Sequence, residues 1–238
     1  MTENLKIPKH LGIILDGNRR FAKKLAKNPW EGHAYGADIF RKFLDWCKEL
    51  KIKELTIYTL SAQNLLRPKI EVDVLMKLIT NRFSYFLTDK GFAELEQDQV
   101  KINFIGRTIL LPQNIQELIS KLQEKTKSFN NYIINFAIAY AGREEIVDAV
   151  KKVADDLSSG KLTKEQINTE SFANYLYLNS EPDLIIRPSG AIRTSNFLPW
   201  QSVYSEWVFI DKLWPDFTKE DLLACLQEFS SRERRFGK

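Results

Sequence analysis

Six short runs of β-branched and other large apolar residues punctuate the sequence, and most are apolar throughout rather than alternating. They are Leu11–Leu15, Glu54–Leu60, Val100–Ile105, Tyr132–Ala139, Leu184–Arg187 and Val203–Ile210. A strand with one wet face alternates; a strand apolar on both faces must be covered on both. That condition selects a parallel sheet flanked by helices, and helical patterns do separate the runs. Phe40, Phe43, Leu44, Cys47 and Leu50 share one helical face, as do Ile115, Leu118, Ile119 and Leu122. Ile146, Val147, Val150, Val153 and Leu157 form another such face, and Leu222, Leu223, Leu226 and Phe229 the last. Pro112 suits a first helical turn, and Thr163 to Gln166 reads as a capping box. No repeat, linker or low-complexity tract appears, so the expectation is one α/β domain over residues 1–238 with a six-stranded, mainly parallel sheet.

One helical stretch differs. Val72–Asp89 carries Leu75, Leu78, Ile79, Phe83, Phe86 and Leu87 around much of its circumference. It is either buried between the sheet and a neighbour or the wall of a hydrophobic tunnel.

The 238 residues are 44% hydrophobic, enough for one substantial core. A formal charge of +4 permits acidic ligands without pointing to nucleic acid. Cys47 and Cys225 sit at apolar helical positions, so the expectation is no disulfide and a reducing, cytoplasmic setting. No apolar run approaches the roughly 18 residues that would span a bilayer. Peripheral contact with a membrane or a lipid stays open.

In open α/β sheets, ligands bind beyond the carboxyl ends of the strands. Asp16-Gly17-Asn18-Arg19-Arg20 follows the first run; Ser61, Asn64 and Arg67 follow the second. Arg187, Ser189, Arg193 and Ser195 follow the fifth, and Glu206 lies within the sixth. Arginine's planar fork suits phosphate oxygens, and Gly17 permits close backbone approach. Two carboxylates, Asp16 and Glu206, beside so many phosphate-binding groups make sense if they hold Mg²⁺. Simpler roles compete: Asp16 as a helix N-cap, Glu206 as half of a structural salt bridge, His33 as a turn cap, His10 as a structural group. There is no phosphate-loop, dinucleotide or nucleophile-elbow motif. Two histidines and two distant cysteines make no zinc site. Asp155-Asp156 begins no Asp-Asp-x-x-Asp motif, since Ser159 ends the span.

Several long segments, in one order, resemble the cis-prenyltransferase family, which contains the undecaprenyl and dehydrodolichyl diphosphate synthases. "HLGIILDGNRRFAKK" resembles the opening H-x-x-I-x-D-G-N-x-R-W/F-A-K-K signature, and "GHAYGAD" the next G-H-x-x-G. "LTIYTLSAQNLLRPKIEVDVLM" resembles Y-x-x-S-x-E-N-x-x-R-P-x-x-E-V. "DLIIRPSGAIRTSNFLPWQSVYSEWVFIDKLWPDF" resembles the family's final long segment. The resemblance implies a Mg²⁺-dependent enzyme joining isopentenyl diphosphate to an allylic diphosphate such as farnesyl or geranylgeranyl diphosphate, with a new cis double bond. It implies a homodimer with a hydrophobic tunnel; no nucleic-acid partner is expected, and peripheral membrane contact through the lipid product stays open. Asp16 would be the essential acid near Mg²⁺, with Glu206 the second metal-associated carboxylate. Gly17, Asn18, Arg19, Arg20 and His33 would hold the allylic diphosphate. Ser61, Asn64 and Arg67 would lie near the reacting centre, with Asn64 orienting the departing diphosphate as proton acceptor. Arg187, Arg193 and Ser195 would hold the diphosphate of isopentenyl diphosphate, and Arg235-Phe-Gly237 would complete the partner's site. The sequence departs from the family at Gln63, Leu65, Pro188 and Ala191, at Arg19 where glycine is common, and at Pro29. Those departures keep two alternatives in view: a non-head-to-tail prenyl diphosphate synthase, and a non-catalytic subunit, which the presence of Asp16 disfavours.

Overall fold

The computed structural model describes residues 5–233. Its strands are β1 (His10–Ile14), β2 (Glu54–Ser61), β3 (Val100–Ile105), β4 (Tyr132–Tyr140), β5 (Leu184–Pro188) and β6 (Glu206–Ile210). They form one sheet in the order β3-β4-β2-β1-β5-β6, and every pairing is parallel. The longer helices are α1 (Asn18–Lys24), α2 (Gly32–Glu49), α3 (Lys69–Tyr85), α4 (Asp89–Asp98) and α5 (Gln113–Thr126). They continue with α6 (Gly142–Ser158), the short α7 (Thr169–Ala173) and α8 (Lys219–Ser231). No described helix is long and apolar enough to cross a membrane.

The strands are covered on both faces, as their unbroken apolar character requires. On one face Leu11, Ile13, Ile57 and Ile186 join Phe43, Cys47, Phe83, Leu118, Trp214 and Leu226 in the larger core. On the other, Ile14, Tyr58, Tyr140 and Ile185 pack with Phe197 and Leu198. Both cysteines are free and buried.

The chain enters the sheet at β1, extends to one side through β2 and the β3-β4 pair, and returns to place β5 on β1's other side. The strand order therefore reverses between β1 and β5, where an open parallel sheet leaves a crevice at its carboxyl edge. A second irregularity aims at the same edge. The β2–β4 register slips between Tyr58 and Leu60, and this bulge re-aims the end of β2.

Three expectations change. The stretch expected as one helix, Val72–Asp89, is two: α3 ends at Tyr85, and the Thr88 hydroxyl accepts from the Gly91 amide to start α4. The last strand begins at Glu206 rather than Val203; Val203 and Tyr204 sit exposed in the preceding turn. On α6 the inward face is Glu145, Ala149 and Val153, while Val147 and Val150 are each about half exposed.

Candidate active site

A cavity of about 780 Å³ opens at the carboxyl edge of the sheet. Its mouth is polar, with Asp16, Arg187, Arg193 and Ser195 on one side and His33, Asn64 and Arg67 on the other. Gly17, Asn18, Arg19, Arg20 and Ser61 also line it. Its body is apolar, walled by Leu75, Leu78, Ile79 and Phe83 of α3 and by Phe136 of the sheet. The stretch around α3 thus both packs on the core and lines the cavity, which settles the choice left open by its pattern.

Asp16 is not a helix cap. The N-cap of α1 is Gly17, at φ 113°, a left-handed value that suits glycine. Gly17 turns the chain so that the Asp16 carboxylate faces β5. Oδ2 accepts from Arg187 Nη2 and from Ser189 Oγ, both at 2.8 Å, and Oδ1 accepts from Arg20 Nη2 at 3.3 Å. Burial works against the Asp16 charge, but the hydrogen bonds from Arg187 and Ser189 and the nearby guanidinium charges outweigh it. They hold the carboxyl below its ordinary value.

Arg187 is 3% exposed. It donates to Asp16, to Ser195 Oγ at 2.7 Å and to the Arg193 carbonyl, yet its Nε has no partner among the described residues. A buried guanidinium N–H without an acceptor is a place for a ligand oxygen. Ser189, expected only as a neutral hydrogen-bonding group beyond the fifth strand, bonds Asp16 through its hydroxyl and accepts from Arg20 Nη1 through its carbonyl at 2.8 Å. It does so at φ 105°, strained for a residue with a Cβ.

The second wall is set by glycines. A Cβ on Gly32 would lie 1.9 Å from the Asn18 carbonyl oxygen, and one on Gly36 2.1 Å from Asn18 Oδ1. The glycines of "GHAYGAD" therefore let α2 press against the Asp16–Arg20 loop, which brings His33 to the mouth. Ser61 and Asn64 bond reciprocally: the Ser61 amide donates to Asn64 Oδ1 at 3.2 Å, and the Asn64 amide to Ser61 Oγ at 3.1 Å. That pairing fixes the Asn64 side chain and leaves its Nδ2 as the remaining donor.

Glu206 does not join this group. In the parallel register Glu206 lies beside Leu184, and Leu184 beside Leu11, at the amino edge of the sheet. Asp16 follows the carboxyl end, five residues beyond Leu11, or roughly 16 Å along the strand. The Glu206 carboxylate pairs with Arg232 Nη1 at 2.7 Å. Within one chain it is the salt-bridge partner, not a companion of Asp16. Arg235 and Gly237 lie outside the described residues.

No three acidic, histidine or cysteine side chains among the described residues cluster as a metal cage. Asp16 still fits Mg²⁺, which binds through one or two carboxylates and completes its shell with phosphate and water. Of the sequence departures, Gln63, Leu65, Pro188 and Ala191 stay off the cavity lining; Pro29 and Arg19 are on it.

The family described as "Putative undecaprenyl diphosphate synthase" matches residues 14–237. A tritrans,polycis-undecaprenyl-diphosphate synthase (geranylgeranyl-diphosphate specific) from Pyrococcus horikoshii is 47% identical, covering 98% of this chain and 88% of that protein. Among solved structures, lavandulyl diphosphate synthase from Lavandula x intermedia, in complex with dimethylallyl diphosphate, is similar with a TM-score of 0.88. It is 34% identical, over 97% of this chain and 98% of that one. A probable undecaprenyl diphosphate synthase from Campylobacter jejuni is 32% identical with a TM-score of 0.78, over 98% and 100% of the two chains.

Proposed function

Because the chain belongs to the undecaprenyl diphosphate synthase family of cis-prenyltransferases, we propose that it elongates geranylgeranyl diphosphate with isopentenyl diphosphate in cis, using Mg²⁺ and acting as a homodimer. The cavity carries this reading: a cationic mouth continuous with an apolar body matches an allylic diphosphate, charged at one end and hydrocarbon at the other. The specificity for geranylgeranyl diphosphate is supported by the name of the Pyrococcus relative. The dimer is supported by the apolar side chains Val147 and Val150 that α6 leaves exposed.

Two diphosphates would meet at the mouth. Arg19, Arg20 and His33 would hold the allylic one; Arg187, Arg193 and Ser195 would hold that of the isopentenyl unit. When bound at Asp16, Mg²⁺ would add positive charge where the leaving diphosphate accumulates negative charge. As the allylic carbon–oxygen bond breaks, the arginines stabilise that charge in a site whose donors are already in place. The new carbon–carbon bond forms at the isopentenyl double bond, and a proton leaves carbon 2. The departing diphosphate takes the proton, oriented by the Asn64 amide. Holding both substrates in line converts a bimolecular encounter into a positioned one.

The direct test incubates the purified protein with labelled isopentenyl diphosphate, Mg²⁺ and a panel of allylic diphosphates. Long cis products, made best from geranylgeranyl diphosphate, are expected. The likeness to a lavandulyl diphosphate synthase supports a second reading, coupling of two allylic units. Product from dimethylallyl diphosphate alone would establish that reading and overturn the first.

The apolar body carries its own expectation. Leu78→Trp projects bulk from α3 into the cavity, where Leu78 now lines the wall. The product distribution should shift to shorter chains with little change in the KM for isopentenyl diphosphate. Chromatography of the dephosphorylated products reads this, and an unchanged distribution would remove α3 from the product path.

A further inference from the structure

Two arginines and a histidine at the mouth converge on one buried carboxylate oxygen. Glu71, in the first turn of α3, is 2% exposed. Its Oε1 accepts from Arg67 Nη1 at 2.8 Å and lies 3.3 Å from His33 Nε2 and 3.6 Å from Arg19 Nε. The three come from different elements: Arg19 from α1, His33 from α2, and Arg67 from the turn before α3. All three also line the cavity; Glu71 does not.

A helix N-terminus favours an acid, but that alone does not require burial, or two arginines and a histidine around one oxygen. Arg67 and Arg19 repel each other unless an anion lies between them, and at the mouth that anion is either substrate or protein. We propose that Glu71 is an internal counter-anion: it holds Arg19, His33 and Arg67 together when the diphosphate site is empty, and yields them to phosphate oxygens when a diphosphate enters. This rests on the reading of the mouth as a diphosphate site. Glu71 is thereby a positioning residue, acting through its three neighbours.

The arrangement has a use in a chain-lengthening cycle. After each addition the new allylic diphosphate must leave one subsite and enter the other. A mouth bearing uncompensated cations would bind every diphosphate tightly, in ground state and transition state alike, which does not raise kcat. A resident carboxylate competes with the ligand for the same donors and weakens that hold. Arg19 fits the scheme because its one ionic partner among the described residues is Glu71, while its side chain is half exposed and lines the cavity.

Glu71→Gln keeps the shape and an acceptor oxygen but removes the charge. Titration calorimetry with inorganic pyrophosphate, on the full-length protein without metal, should show about tenfold tighter binding than the parent. In the elongation assay the same variant should have a lower KM for the allylic diphosphate together with a lower kcat. Equal or weaker pyrophosphate binding by Glu71→Gln would overturn the counter-anion role and leave the diphosphate site standing. Failure of the parent itself to bind pyrophosphate would remove that site, and this inference with it. Should Glu71→Gln not fold, the parent supplies the measurement. The chain has two histidines, and His10 is buried at the opposite edge of the sheet. Pyrophosphate should shift the His33 ring resonances and leave those of His10 in place; an unmoved His33 would overturn the proposal.

Discussion

Asp16→Asn should lower turnover about a thousandfold, equivalent to ~4 kcal/mol of barrier, while the protein remains folded. Asparagine is the informative replacement because its amide oxygen can still accept from Arg187 and Ser189, the two donors now at 2.8 Å. Alanine would instead strand the Arg187 guanidinium, which is 3% exposed, and losing one partner of such a pair costs about 3–5 kcal/mol of stability. The asparagine variant separates charge from scaffold. The neighbouring guanidinium groups and the Ser189 hydroxyl hold the Asp16 carboxyl below its ordinary value, so it is charged at neutral pH. Steady-state rates with saturating Mg²⁺, set beside a thermal melt, check the expectation. A variant that turns over within tenfold of the parent would show that the carboxylate charge is not part of the reaction.

A second large effect is expected on stability. Glu145 is fully buried at the start of α6 and accepts four hydrogen bonds. They come from Tyr140 Oη at 2.5 Å, the Tyr177 amide at 2.8 Å, Gln201 Nε2 at 3.0 Å and the Leu178 amide at 3.3 Å. Burial pushes its carboxyl up, and those donors oppose the shift. Glu145→Leu would take the acceptor from the Tyr140 hydroxyl and from the Tyr177 and Leu178 amides, while Gln201 Nε2 keeps the Leu178 carbonyl at 2.8 Å. At about 1–3 kcal/mol each, partly relieved by water, the loss should reach about 4 kcal/mol. For a chain of this length that lowers the melting temperature by about 10 °C or more. Glu145→Gln, which retains one acceptor oxygen, should fall between. The effect should reach the active site as well. The same helix start holds the loop that carries Arg193 and Ser195, through Gly142 N to the Asn196 carbonyl at 2.9 Å and Arg143 N to Asn196 Oδ1 at 2.8 Å. A Glu145→Leu variant melting within 2 °C of the parent would show that this junction is not the clamp described.

The strands and the mouth were legible in the sequence for a simple reason. Strands buried on both faces declare themselves as unbroken apolar runs, and five of the six matched to within about a residue at each end. The groups following those runs are local to strand ends, so the parallel topology alone gathers Asp16, Arg67 and Arg187. What escaped depends on features that local pattern does not carry. The inward face of α6 is hidden from pattern because its largest buried member is a carboxylate, Glu145, while the apolar stripe points to Val147 and Val150. Glu206 and Asp16 both flank strands in the sequence, but only the register tells which edge each occupies. Glu71 and Ser189 were visible as residues; their roles needed the approach of α1 and α2 to α3, and a left-handed backbone at Ser189. A faint signal existed for Glu71, an acid four residues after an arginine at a helix start.

The loop after β5 holds Ser189, Ser195, Asn196 and Leu198 at positive φ, in addition to Gly190. Left-handed backbone at a residue with a side chain costs about 1 kcal/mol or more, so this turn is a loaded spring that the core and the α6 junction keep compressed. The ordering of the loop is completed when the chain folds, and an arriving diphosphate meets donors already fixed rather than a segment it must freeze. Glycine at these positions would relieve the strain but forfeit what offsets it: Leu198 packs in the core, Asn196 ties the loop to α6 and Ser189 binds Asp16.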